Sequence, residues 1–106
     1  MTTKIPVELS STPGIVDGSN ATAITIDSSE NVGIGETSPL AKLHIKLGDS
    51  GLSSLNAAGN HIFLENTGSN GTGITLASGN TSNGSIIFGD EDSNYRGVLI
   101  YDHSAD

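Results

Sequence analysis

Large apolar residues alternate with small or polar ones along much of this chain, always in short runs. Ala23-Ile24-Thr25-Ile26, Val32-Gly33-Ile34-Gly35 and Leu43-His44-Ile45-Lys46-Leu47 each repeat with a period of two, which predicts half-buried strands. Residues 27–31 (Asp-Ser-Ser-Glu-Asn) form a polar turn between the first two runs. Ser38 followed by Pro39 predicts a single helical turn over 37–42, because proline at the first helical position gives up no needed donor. Upstream, Ile5, Val7 and Leu9 alternate with Pro6 and Glu8, and Pro6 and Pro13 exclude regular helix. Residues 1–22 therefore predict an extended arm, with Ile5, Val7, Leu9, Ile15 and Val16 as its docking side chains. Residues 23–47 form a β module, and 48–60 a connector anchored by Leu52 and Leu55.

Residues 61–106 carry a repeat. Ile62, Ile74, Ile86 and Val98 recur every twelve positions, and so do Leu64, Leu76, Phe88 and Ile100. Each pair lies in a strand-like hexamer (61–66, 73–78, 85–90, 97–102), and six-residue turn segments separate the hexamers. Two architectures fit, an antiparallel meander and a set of rungs contributed by three chains around a common axis. Two or three large side chains per rung supply roughly 3–6 kcal/mol at about 25 cal/mol per Å². Ordering twelve residues costs more, at roughly 1–2 kcal/mol each. A free sheet would also leave open edges. Threefold closure answers both difficulties, so the predicted fold is all-β, an extended arm followed by short strands in a homotrimer, intertwined or side by side. The positions expected to be buried are Ile24, Ile26, Val32, Ile34, Leu43 and Ile45 in the first unit. In the second they are Ile62, Leu64, Ile74, Leu76, Ile86, Phe88, Val98 and Ile100.

Composition sharpens this picture. Among 106 residues there is no Cys or Trp, and the aromatic residues are two Phe and two Tyr. Aromatic rings supply the largest burial terms in small cores, on the order of 150–250 Å² each, so a lone chain is short of buried area. The absence of Cys excludes a disulfide framework and thiolate metal sites. The net charge of −8, with four scattered basic residues, argues against nucleic acid and against anionic membrane surfaces. The opening Met-Thr-Thr-Lys-Ile-Pro lacks the apolar stretch of a secretory signal, which predicts synthesis in a cytosol. The end at Asp106, directly after a strand-like run, gives the expectation that the native polypeptide continues.

Little in the sequence points to chemistry. Gly33-Ile34-Gly35 lacks the third glycine and following helix of a phosphate loop. Residues 90–94 alternate oxygen-bearing side chains as a calcium loop does, but Tyr95 and Tyr101 stand where its glycine and bidentate glutamate belong. Asp102-His103-Ser104 has the residue types of a hydrolytic triad, yet neighbours on an extended chain point in opposite directions. His44 and His61 have no second ligand at a useful spacing and read as edge or surface residues. Asn70-Gly71 and Asn83-Gly84 are natural tight-turn dipeptides. No catalytic, cofactor-binding or metal residue is predicted, and no cofactor.

The run from Ile24 through Asp27-Ser28-Ser29, Asn31-Val32-Gly33-Ile34-Gly35 and Thr37-Ser38-Pro39 to Lys42-Leu43-His44-Ile45 resembles a module of bacteriophage tail-fibre and related virion fibre proteins. The opening Lys4-Ile5-Pro6-Val7-Glu8-Leu9 with Thr12-Pro13-Gly14-Ile15-Val16 resembles the start of such fibres. Glu30 stands where that module commonly has glycine, and Glu36 where it has threonine. The resemblance covers residues 4–47 and implies a homotrimer, located in the virion and most simply in the tail fibre; with no catalytic residue predicted, the chain is expected to be non-enzymatic. Its arm would dock on a tail or capsid adaptor protein, and its distal part would meet the host cell surface. The alternatives are a capsid-bound head fibre and the N-terminal part of a polysaccharide-degrading tailspike. The latter needs two carboxylates about 5–10 Å apart on a rigid cleft, whereas the acids near the end of this chain crowd its turns.

Overall fold

The computed structural model describes residues 22–105. The arm residues Ile5, Val7, Leu9, Ile15 and Val16 lie outside the described residues. The described chain is β-rich: six strands, two short 3-10 turns, and no α-helix among the described residues. It divides into two compact units between Ser69 and Asn70.

The first unit is a four-stranded sheet in the order β1 (Ile24–Ile26), β2 (Val32–Ile34), β3 (Leu43–Lys46) and β4 (Ile62–Glu65). The β1–β2 pair is an antiparallel hairpin, while β2–β3 and β3–β4 are parallel. The hairpin turn is organised by Asp27. Its Oδ1 accepts from the backbone N–H groups of Ser29 and Asn31, and its Oδ2 from the Asn31 side-chain amide. The Asn31 N–H holds the Asp27 carboxyl below its usual value, with Ser29 assisting and partial burial opposing. Glu30 completes the turn at φ +62°, a left-handed conformation that suits glycine better than a residue with a side chain.

Sequential parallel strands need crossovers, and both crossovers here carry some of the cover. The β2–β3 crossover bends back over the sheet, burying Pro39 and Ala41. A Cβ on Gly33 would collide with the Glu36 carbonyl oxygen, so glycine is what lets this segment approach the strand. No helical turn forms over 37–42. The Ser38 N–H donates to the Glu36 carboxylate at 2.7 Å, so the local bond runs backwards from where a helix N-cap would place it. The longer β3–β4 crossover contains a 3-10 turn at Ala57–Gly59, capped by the Asn56 side chain.

The second unit is an antiparallel pair, β5 (Asn83–Phe88) with β6 (Gly97–Asp102). Its turn is held by Asp90, whose carboxylate accepts from the N–H groups of Asp92 and Ser93 and from Arg96 Nε at 2.9 Å. Residues 90–94 thus make an arginine-clamped turn rather than a cation loop. Asn83-Gly84 lies inside a strand and not at a turn, and residues 73–78 form no strand. The first rung, with Ile62 and Leu64, joins the sheet of the first unit instead of pairing with the rungs that follow it.

Candidate functional site

Strand register decides which side chains share a face. Ile24 pairs with Ile34, Ile34 with Ile45, and Ile45 with Leu64. Ile26 pairs with Val32, Val32 with Leu43, and Leu43 with Ile62. One face of the first sheet is therefore two rows of four aliphatic residues. These include all six positions that alternation alone selected in residues 23–47, together with Ile62 and Leu64.

The described residues do not cover this face. Ile26 is 66% exposed and Ile62 61%, while Ile24, Ile34 and Ile45 are also exposed and Val32, Leu43 and Leu64 half-buried. The apolar rungs of the second unit are exposed as well, among them Ile74, Leu76, Ile86, Phe88, Val98 and Ile100. Apart from Pro39, Ala41 is the one buried apolar side chain among the described residues, at 3% exposed.

The opposite face of the first sheet carries Gly33, His44 and Phe63 in one row and Lys46 with Glu65 in the next. Here the chain buries polar groups. His44 is 1% exposed and Glu65 5%, with His44 Nε2 2.8 Å from Glu65 Oε2. The Leu40 N–H can only donate, so His44 Nδ1, 3.2 Å away, must accept it. The proton of the neutral ring then lies on Nε2 and is given to Glu65. The ring also stacks on Phe63, centroid to centroid 4.3 Å. Glu65 Oε1 accepts from both the N–H and the hydroxyl of Ser50. Burial acts to raise the Glu65 carboxyl, but the Ser50 hydroxyl and N–H, His44 and the Lys46 charge together bring it down to about 2.

Lys46 extends the network outward. Its ammonium lies 2.8 Å from Glu36 Oε2 and 3.6 Å from Asp49. The Lys46 bond holds the Glu36 carboxyl low, and Glu36 in turn raises the Lys46 ammonium.

Glu36, His44 and Glu65 each offer a ligand atom within 4.8 Å of the others, the spacing of a metal site. Their atoms are already engaged, however. Both His44 nitrogens have partners, both Glu65 oxygens accept, and Glu36 holds Lys46. Nor is there a nucleophilic relay, since Ser50 bonds to the glutamate and not to the imidazole. The arrangement is a saturated structural network that ties both crossovers to the sheet.

His44 is thus a buried hub instead of the edge residue that its isolated position in sequence predicts. Its partner lies 21 residues away on a strand reached through a parallel crossover, so no local spacing reveals the pair. At the end of the second unit, Asp102 accepts from the N–H and hydroxyl of Ser104, which holds its carboxyl low. That is a local cap, in which the Ser104 hydroxyl donates directly to the Asp102 carboxylate.

No helix among the described residues is long and apolar enough to cross a membrane. No family model, characterised protein or solved structure matches this chain.

Proposed function

We propose that this chain is a structural, non-catalytic segment of a bacteriophage virion fibre, acting as a homotrimer in the tail. The observation that carries the reading is the inversion of the first sheet. Its own crossovers cover the polar face, while the face of eight aliphatic residues stays open. Burying what remains of each side chain is worth on the order of 1 kcal/mol, several kcal/mol per copy over the face. A chain whose described residues bury almost no hydrophobic side chain needs that contribution. The outer edges of β1 and β4 have no neighbouring strand in the sheet order, and assembly around an axis also protects such edges.

The virion assignment rests on the resemblance over residues 4–47. In that reading the arm meets an adaptor protein of the particle, and parts of the fibre beyond this chain meet the host surface. Native mass spectrometry tests the assembly, with a dominant species at three times the 10.8 kDa chain mass expected. A stable, monodisperse monomer would overturn it. Antibodies against the chain should decorate the tail of intact virions, and labelling of the head would move the fibre to the capsid.

A further inference from the structure

His44 sits between two partners that make opposite demands on its protonation. On one side Nδ1 accepts the Leu40 N–H at 3.2 Å, which requires the neutral ring. On the other, the Nε2 proton is given to Glu65 Oε2 at 2.8 Å, a bond that a charged ring makes more strongly than a neutral one. A second proton therefore has one place to go, Nδ1. The imidazolium would then point an N–H at the Leu40 N–H, two donors face to face, and that contact must open.

The surroundings supply partners for a charged ring. On β4, Glu65 remains a carboxylate down to about pH 2, and Phe63 presents its ring at 4.3 Å, within reach of a cation–π contact. Glu36 in the β2–β3 crossover lies in the same 4.8 Å cluster, and Asp49 after β3 lines the same cleft. Gly33, opposite His44 on β2, carries no charge. Against these stand the Lys46 ammonium on β3 and the burial of the ring, which is 1% exposed.

The consequence of protonation is local, because the crossover is fastened at both ends without the imidazole. Glu36 holds Lys46 at one end. At the other, the Lys42 N–H donates to the Asn60 carbonyl, and the Lys42 carbonyl accepts from the Val32 N–H. Between those ends, the Leu40–His44 bond is the hydrogen bond among the described residues that ties residues 37–41 to the sheet. This stretch includes the buried Pro39 and Ala41.

We propose that His44 is an acid-released latch. The neutral ring fastens residues 37–41 onto the polar face of the first sheet, and protonation of Nδ1 frees them while the His44–Glu65 bond and the strands stay in place. The device is complete within one copy, so it stands apart from the assembly proposed above.

The test uses the full chain, isotope-labelled on nitrogen. Ring-nitrogen NMR reads the tautomer and charge of His44 from about pH 8 to about pH 4.5, a span in which histidines change charge while the Glu65 carboxyl does not. Amide exchange at Leu40, corrected for its intrinsic pH dependence, reads the latch. At the upper end the ring should carry its proton on Nε2, with Leu40 protected. As Nδ1 gains its proton, protection of Leu40 should fall about ten-fold at the same midpoint, the scale of one lost hydrogen bond. Leu43 and Leu47, whose N–H groups donate to the His61 and Glu65 carbonyls, should keep theirs. His44→Asn retains an acceptor oxygen where Nδ1 stands but takes up no proton, so its Leu40 should stay protected throughout. If that variant does not fold, the wild-type readings decide alone. A neutral ring with its proton on Nδ1, a ring that charges without loss at Leu40, or one that stays neutral over the whole span would each overturn the latch. So would loss at Leu43 and Leu47 in step with Leu40, or an equal loss at Leu40 in folded His44→Asn.

Discussion

The two units solve the shortage of apolar burial differently. The first has a polar face that it can cover with its own crossovers, and it anchors them through His44, Glu65, Ser50, Lys46 and Glu36. The second is held differently. It is a twelve-residue ladder with an Asp90–Arg96 clamp at its turn and a short 3-10 turn after β6. In the first unit, local order comes from within the chain, and the aliphatic face is the part its described residues leave exposed or half-buried. In the second, hydrogen-bonded pairing alone must hold two strands, and isolated two-stranded sheets are marginal in water. The contrast teaches that polar satisfaction fixes the register of the first unit, while the second relies on backbone pairing and its turn clamp.

The largest effect should come from charging the open face of the first sheet. Ile34→Asp, in the middle of one aliphatic row, should abolish assembly, because an unpaired charge in a buried contact costs several kcal/mol. Native mass spectrometry would read this as a shift from trimer to monomer. Ile74→Asp asks the same of the second unit, and assembly like wild type would remove residues 73–78 from the contact.

Next is the buried hub. His44→Leu leaves Glu65 Oε2 and the Leu40 N–H without the imidazole as partner, for a loss of roughly 2–3 kcal/mol. Hydrogen exchange should show the loss in β3, β4 and the crossovers, and leave β5 and β6 at wild-type protection. Equal loosening of both units would erase the distinction drawn between them.

Acid should act through the same network. The Glu65 carboxyl titrates at about 2 in the folded chain, against 4.5 for an ordinary glutamate. Its contribution is complete above pH 4.5 and disappears as the pH falls through about 2. Glu36 and Asp27 are also lowered and add with the same sign. Thermal melts of wild type from pH 6 to pH 2 should therefore fall more steeply than those of Glu65→Gln, which lacks this titration. Parallel curves would mean that Glu65 contributes nothing to the acid response.

The smallest effect is at the hairpin turn. Glu30→Gly relieves a left-handed residue worth about 1–2 kcal/mol, offset by the extra freedom of glycine in the unfolded chain. A net gain of about 0.5 kcal/mol should appear as a slightly higher melting temperature. A lower one would show that the Glu30 side chain contributes more than its backbone strain removes.

Period-two alternation was enough to find the β1, β2 and β3 runs and the aliphatic side of each, because strand side chains alternate whatever the strand pairs with. It could not reveal pairing. The twelve-residue spacing suggests that Ile86, Phe88, Val98 and Ile100 share a face, which holds for stacked parallel rungs. In an antiparallel pair the partner numbers add to a constant, and here that constant is odd. Ile86 and Phe88 consequently lie on the other side of the ladder from Val98 and Ile100, and Leu99, Ile87 and Tyr101 become apolar positions that the repeat does not mark. The same blindness hides the His44–Glu65 pair, whose strands are brought together by the long β3–β4 crossover. Glu30 was legible as a departure from a fibre-like turn, and its positive φ supplies the physical reason why glycine suits that position.

The central claim is that other copies of the chain cover the aliphatic face of the first sheet. Thiol reactivity of Ile45→Cys, in the middle of that face, measures this directly. In the assembled protein the thiol should react with a maleimide far more slowly than one placed at exposed Ser28, and the two rates should converge in denaturant. Equal rates in the native protein would mean that the face is open to water and that the account is wrong.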